Sequence, residues 1–192
     1  MVMLRDYAGY PWAELPPGSL VVDVGGGVGG SALAILRKHP HLRFVVQDLA
    51  IVVENEGRKV SISPFLIFIN TNNIQFWARE HPEAMADRRV ILQGHDLFAP
   101  QPAQATPVAV FLLRCISHDW NTSAMRNMLR ALVAGATPHT RVVIIDNVVP
   151  YTSKISITSE IPCDPAFKPP APLLSSAGNE GVFDRDMIVC SF

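Results

Sequence analysis

Cysteine is scarce in this 192-residue chain, and charge of either sign is nearly balanced. The three cysteines, Cys115, Cys163 and Cys190, have no metal-ligand spacing, and so sparse and odd a set argues against a disulfide framework. A formal net charge of −1 removes the electrostatic reason to expect nucleic acid or an anionic membrane as partner. The longest apolar run lies near residues 65–69, far below the roughly 20 residues of a membrane-spanning helix. The N-terminus lacks a basic stretch followed by a long apolar one, so no secretory signal is expected. These absences leave a cytoplasmic protein as the expectation. Apolar residues are abundant, 48% against 17% charged, which is enough for the core of one domain.

Strands and helices alternate along the chain. Residues 20–24, Leu-Val-Val-Asp-Val, read as a short buried strand. They run into Gly25-Gly-Gly-Val-Gly-Gly30 and then into a helix from about residue 29 to 39, ended by Pro40. Residues 42–47 form a second strand closing on Asp48, 89–93 a third, 108–115 a fourth and 141–145 a fifth ending at Asp146. Residues 50–59 and 76–86 each read as helical. So do residues 122–134, where Met125, Met128, Leu129, Leu132 and Val133 recur at three- and four-residue steps, with Asn121 or Thr122 as cap. Between the first two of these helices, residues 60–75 clash with their surroundings, because Pro64 and the Asn/Thr run are poor helix material and 65–69 are strand-like. Residues 150–178 are rich in proline and serine and read as a loop, and 183–192 as one short helix. The pattern predicts an α/β fold with a Rossmann-like, doubly wound, mostly parallel sheet, incomplete at the C-terminus. Its parts are a lead-in over 1–19, a cofactor-binding domain over 20–150 and a C-terminal segment over 151–192.

Gly25-x-Gly27-x-x-Gly30 after a strand matches a nucleotide-binding turn, and Asp48 at the next strand end can accept hydrogen bonds from ribose hydroxyls. Those two features alone do not separate NAD from S-adenosylmethionine. Asp23 does so better: its carboxylate repels a pyrophosphate near the turn and suits a sulfonium and an ammonium. Asp96 and Leu97 leave the third strand toward the same crevice and can hold and cover an adenine. His118, in His118-Asp119-Trp120 after the fourth strand, is a candidate general base, and Asp146 one strand over can fix its tautomer. No cluster has metal-ligand spacing.

In this order, residues 20–29, Val45-Val-Gln-Asp-Leu49, Gly94-His-Asp-Leu-Phe98, Leu113-Arg-Cys-Ile-Ser-His-Asp-Trp120 and residues 142–150 resemble the class I S-adenosylmethionine-dependent O-methyltransferases of the plant and fungal caffeic-acid type. The fungal members that methylate aromatic secondary metabolites are especially similar. The resemblance implies that Gly25 and Gly27 approach the cofactor, Asp48 binds its ribose, and Asp96 and Leu97 contact its adenine. It places Arg114 where the family usually has a lysine near the cofactor. It implies that His118 takes a proton from a phenolic hydroxyl of a small aromatic substrate and that Met187 lines the acceptor pocket. Asp146 stands where the family usually has a glutamate orienting that histidine, and is one methylene shorter.

Three departures from the family follow. Its helical N-terminal region, which makes the homodimer, has no counterpart before the first strand. The family continues past residue 192 with a second catalytic glutamate and final strands, so the acceptor site is expected to be incomplete in this stretch. Residues 60–75 have no equivalent, and their removal joins Glu56-Gly-Arg-Lys59 to Phe76-Trp-Ala-Arg79 in one helix, so this stretch is expected to be an insertion or a translated intron. The alternatives are a truncated non-catalytic cofactor-binding chain or partner subunit, and an NAD(P)-dependent oxidoreductase, which leaves the His-Asp-Trp segment without a role.

Overall fold

The computed structural model describes residues 9–53, 73–147 and 185–191. Short runs of valine, leucine and isoleucine make strands that need apolar cover on both faces, which favours a central parallel sheet. The strands are β1 (Leu20–Val24), β2 (Arg43–Asp48), β3 (Val90–Gly94), β4 (Val108–Arg114), β5 (Arg141–Asn147) and β6 (Arg185–Ser191). They lie in the order β3-β2-β1-β4-β5-β6. The pairs β1–β2, β1–β4, β2–β3 and β4–β5 are all parallel. The chain winds outward from β1 through β2 and β3, then returns to β1's other side as β4 and continues to β5. The order therefore reverses between β1 and β4, and the carboxyl ends of these strands open on the crevice where such sheets bind ligands.

The helices are α1 (Gly30–Lys38), α2 (Ala50–Val53), α3 (Asn73–Glu80), α4 (Pro82–Ala86) and α5 (Thr122–Val133). Because side chains alternate along a strand, β1 feeds two cores. Val21 packs with Leu33, Leu36, Phe44 and Trp77 on one face. Val22 and Val24 pack with Phe111, Met128 and Leu132 on the other. Asn121 caps α5, its side chain accepting from Ala124 N–H at 2.9 Å. The lead-in is part of the fold, since Trp12 in a 3-10 turn is buried in the first core.

Three expectations are corrected or bounded. Residues 76–86 do not make one helix: α3 ends at Glu80 and α4 starts at Pro82. Pro82 has no N–H to continue the ladder, and the residue before a proline is pushed out of the helical region, as His81 is with φ −161° and ψ 63°. Residues 185–191 form a strand, not a helix. Seven residues with Ile188 and Val189 at their centre are short for a helix and suit pairing beside β5. The remainder of the helix expected over 50–59, most of the interruption over 60–75 and the loop over 150–178 lie outside the described residues, except that residues 73–75 open α3. Among the described residues, no helix is long and apolar enough to cross a membrane. The chain divides into two compact units, Met1–Asp146 with Met187–Phe192, and Asn147–Asp186, and the site below belongs to the first.

Candidate functional site

The turn after β1 needs glycine at two places for different reasons. Gly25 has φ +66°, and a Cβ there would lie 2.7 Å from the Ile116 Cδ1 atom that closes over it. Gly27 has φ +58°, and a Cβ there would meet nothing within 4 Å, so this backbone faces open space. The turn is tied to the end of β2. Gly26 N–H donates to the Gln47 carbonyl at 2.8 Å, and Gly27 N–H donates to Asp48 Oδ2 at 2.8 Å. Leu49 N–H donates to Asp48 Oδ1 at 2.8 Å. A carboxylate has about four acceptor positions, so each Asp48 oxygen keeps capacity for a ligand hydroxyl. Gly25, Asp48, Leu49, His95 and Leu97 line a small pocket at this point. An acid stands on one wall of this small pocket and a leucine on another.

Asp96 stands beside this pocket and is not among the residues that line it. Its Oδ1 accepts from Phe98 N–H at 2.9 Å and its carbonyl accepts from Ala99 N–H at 2.9 Å. Asp96 is exposed and shapes the turn, and the turn carries Leu97 into the pocket wall.

Asp23 lies beneath the glycine turn, not at an open mouth. It is 1% exposed, and a Cβ on Gly26 would sit 2.8 Å from its Cγ. Its Oδ2 has no hydrogen-bond partner among the described residues. Burial pushes its pKa up from 3.8 to about 7, against the opposing pull of the Ala32 backbone N–H and the Arg114 charge. Arg114 ends β4, and its Nε is buried and likewise without a hydrogen-bond partner. Between pH 3.8 and about 7 the unfolded chain has lost the Asp23 proton while the folded chain keeps it. This group therefore makes stability fall as pH rises through that window and level off above it. Asp23→Asn is expected to flatten that part of the profile, as measured by thermal melts in a pH series.

The register of β4 on β5 pairs Arg114 with Ile145, which sets the loop after β4 beside Asp146. Cys115 turns the chain there in the left-handed region, φ +55°, and its N–H donates to the Ile145 carbonyl at 2.8 Å. A 3-10 turn over Ser117–Asp119 follows. His118 Nδ1 lies 2.6 Å from Asp146 Oδ1. His118 backbone N–H donates to Asp146 Oδ2 at 3.0 Å, and the Ser117 hydroxyl donates to the same oxygen. One carboxylate thus fixes both the ring and the turn that carries it, and the shorter aspartate reaches. The hydrogen bond that His118 donates to Asp146 raises the His118 pKa above 6.5, helped by the Asp146 and Asp119 charges and opposed by desolvation of the ring. The ring is 47% exposed, with Nε2 facing outward 3.4 Å from Asp119 Oδ1. Nearby, the exposed rings of Phe98 and Trp120 meet edge to face at 4.8 Å, joining the loops after β3 and β4.

Residues 12–64 match the family model of the O-methyltransferase domain. The chain is 38% identical over 187 residues to 4-O-methyltransferase 1 of Phanerochaete chrysosporium, an alignment covering 95% of this chain and 36% of that protein. The chain belongs with the O-methyltransferases. An O-methyltransferase of Armillaria gallica is 34% identical, with 96% of this chain and 36% of that protein covered. This chain therefore spans about a third of the length of these fungal relatives. Among solved structures, the O-methyltransferase NcsB1 from neocarzinostatin biosynthesis, in complex with S-adenosyl-L-homocysteine and 1,4-dihydroxy-2-naphthoic acid, aligns with TM-score 0.53 and 26% identity. That match covers 75% of this chain and 37% of NcsB1.

On this O-methyltransferase frame the expected site residues separate into groups. Gly25, Gly27, Asp48 and Leu97 gather at one pocket or turn, and His118 and Asp146 pair at the neighbouring strand ends. Asp96 lies on the turn after β3 that carries Leu97, and Asp23 is buried beneath the glycine turn. Met187 lies on β6, and its side chain is outside the described residues. Two features escaped the sequence reading. The buried Gln47 and Gln101 amides bond each other reciprocally, at 3.0 Å in both directions. The α3 residues Asn73 and Trp77 reach the glycine turn. A glutamine inside the apolar run Phe44-Val-Val-Gln47 was the available signal for the first, since a buried polar group needs a partner.

Proposed function

We propose that this O-methyltransferase chain binds S-adenosylmethionine and transfers its methyl group to a phenolic hydroxyl of a small aromatic molecule, with His118 as general base. The observation that carries this reading is the His118–Asp146 pair, held by 2.6 and 3.0 Å hydrogen bonds at the same sheet edge as the Asp48 pocket. When bound, the cofactor supplies an electrophilic methyl group on a cationic sulfur. Asp48 receives the ribose hydroxyls, and Leu97 covers the base. Gly27, open on its side-chain side, lets the ligand approach the backbone. Asp23 and Arg114 set the field beneath the turn.

Asp146 accepts from Nδ1–H of His118, which leaves the Nε2 lone pair outward for the substrate. Nε2 takes the phenolic proton, and the resulting imidazolium is stabilised by Asp146 on one side and Asp119 on the other. The phenolate so formed is the nucleophile that the methyl group of a bound cofactor would meet, and Nε2 then returns its proton to solvent. Alignment of the two reactants and deprotonation supply the rate. The aromatic acceptor class is supported by the dihydroxynaphthoic acid held by NcsB1. In this reading residues 20–150 form the cofactor domain, residues 60–75 are an insertion in it whose last three residues open α3, and the chain works in the cytoplasm.

Calorimetric titration tests the cofactor. Saturable binding of S-adenosylhomocysteine, with thermal protection that NAD does not give, is the expected result. Protection by NAD and not by S-adenosylhomocysteine would favour the oxidoreductase alternative. Binding without turnover on a panel of phenols would make the chain a non-catalytic binder.

A further inference from the structure

We propose that Asn73 and Trp77 on α3 are positioning residues that hold the glycine turn in its ligand-ready conformation. The inference rests on the cofactor reading above. Asn73 and Trp77 stand four residues apart and so share one face of the helix. Both are 0% exposed. Asn73 Nδ2–H donates to the Gly27 carbonyl at 2.7 Å, and Trp77 Nε1–H donates to the Val28 carbonyl at 3.0 Å. One helix thus grips two successive carbonyls of the turn. From the other side, Asp48 Oδ2 holds Gly27 N–H at 2.8 Å.

Peptide planarity converts these grips into orientation. The carbonyl of Gly27 and the N–H of Val28 belong to one rigid unit and point in opposite directions. Tying that carbonyl to α3 therefore turns Val28 N–H away from α3. The Val28 carbonyl, held by Trp77, fixes Gly29 N–H in the same way, and that N–H donates to the Gly26 carbonyl at 2.8 Å. The indole also packs against the turn itself: a Cβ on Gly29 would lie 2.9 Å from Trp77 Nε1 and 3.0 Å from Val46 Cγ2. A turn with glycine at 25, 26, 27, 29 and 30 has wide backbone freedom when nothing constrains it. Ordering it before the ligand arrives removes a cost that binding would otherwise carry.

The role belongs to affinity and not to the chemical step, because neither side chain reaches the His118–Asp146 pair. Trp77→Phe keeps an aromatic ring in place and deletes the N–H. Asn73→Ala deletes the other donor at the first residue of α3. Each substitution is expected to raise the Kd for S-adenosylhomocysteine about tenfold, the worth of one net hydrogen bond. KM for S-adenosylmethionine should rise with it, while kcat at saturation stays near the parent value. Affinity is read by calorimetry well below the melting midpoint of every variant, where loss of global stability does not change it. Trp12→Phe is the control, a buried tryptophan of the same core away from the turn. Parent-like Kd values in both α3 variants, or an equal rise in Trp12→Phe, would overturn the inference. If Trp77→Phe does not fold, Asn73→Ala decides the matter alone. Failure of the parent chain to bind S-adenosylhomocysteine is a different result, which removes the cofactor reading and this inference with it.

Discussion

Replacing His118 with alanine is expected to lower kcat for methyl transfer to a phenol by about 10²- to 10⁴-fold, the usual contribution of a positioned general base. The Kd for S-adenosylhomocysteine should stay at its parent value, because the ring touches neither the glycine turn nor Asp48 in any hydrogen bond of the site. The physical reason is the acceptor's acidity. A phenol ionises near pH 10, so at neutral pH almost none of it is nucleophilic without a base to take the proton. Raising the pH toward 10 should therefore shrink the deficit of His118→Ala, since solvent then does what the imidazole did. The parent enzyme should show the opposite limb. Only neutral His118 can accept a proton, and Asp146 holds its pKa above 6.5. Log kcat should climb as pH rises through that elevated value and flatten beyond it. A parent-like rate in His118→Ala at neutral pH would remove the histidine from the mechanism.

Asp146→Asn is the second large effect, expected to be about 10- to 100-fold in kcat on the scale of groups that orient a catalytic ligand. Three donors converge on this carboxylate: His118 Nδ1–H, His118 backbone N–H and the Ser117 hydroxyl. An amide has one acceptor oxygen and one NH₂ group. If the oxygen faces the backbone N–H, the NH₂ faces Nδ1 and favours the tautomer that places the proton on Nε2, which is then unable to act as a base. The charge is lost as well, so the His118 pKa falls toward 6.5 and the rising limb of the pH–rate profile moves to lower pH. The two signatures together, a lower plateau and a limb displaced toward acid, separate this role from simple destabilisation. An unchanged limb would show that the field at His118 comes mainly from elsewhere, with Asp119 the nearest other charge.

The sheet was readable in the sequence because its strands are short, apolar and nearly uninterrupted. Leu20–Val24 and Val108–Arg114 needed no context to be recognised. The pairing of His118 with Asp146 was readable for a related reason. Residues that end adjacent parallel strands must meet at one edge. What stayed hidden depended on depth or on distance along the chain. The sequence places Asp23 next to the turn, but only the packing of Gly26 over its carboxyl shows that it is sealed beneath. The apolar spacing of residues 76–86 runs through Pro82, and the local backbone rule overrides it. Strand β6 takes its form from the sheet edge it joins, which no ten-residue window contains. The α3 grip on the turn spans 46 and 49 positions, and neither side chain announces its partner.

The reciprocal Gln47–Gln101 amides constrain how this sequence can drift. Gln47 is 1% and Gln101 5% exposed, so neither amide can turn to water for its hydrogen bonds. Replacing Gln47 with leucine strands the buried Gln101 amide, and replacing Gln101 strands the Gln47 Oε1 while Gln47 Nε2 still donates to Gln93 Oε1 at 2.9 Å; each change costs about 1–3 kcal/mol. Replacing both with apolar residues of similar shape can be nearly neutral. The neutral double change is thus reachable only through an unfavourable single one. Two positions separated by 54 residues are thereby bound to one evolutionary fate.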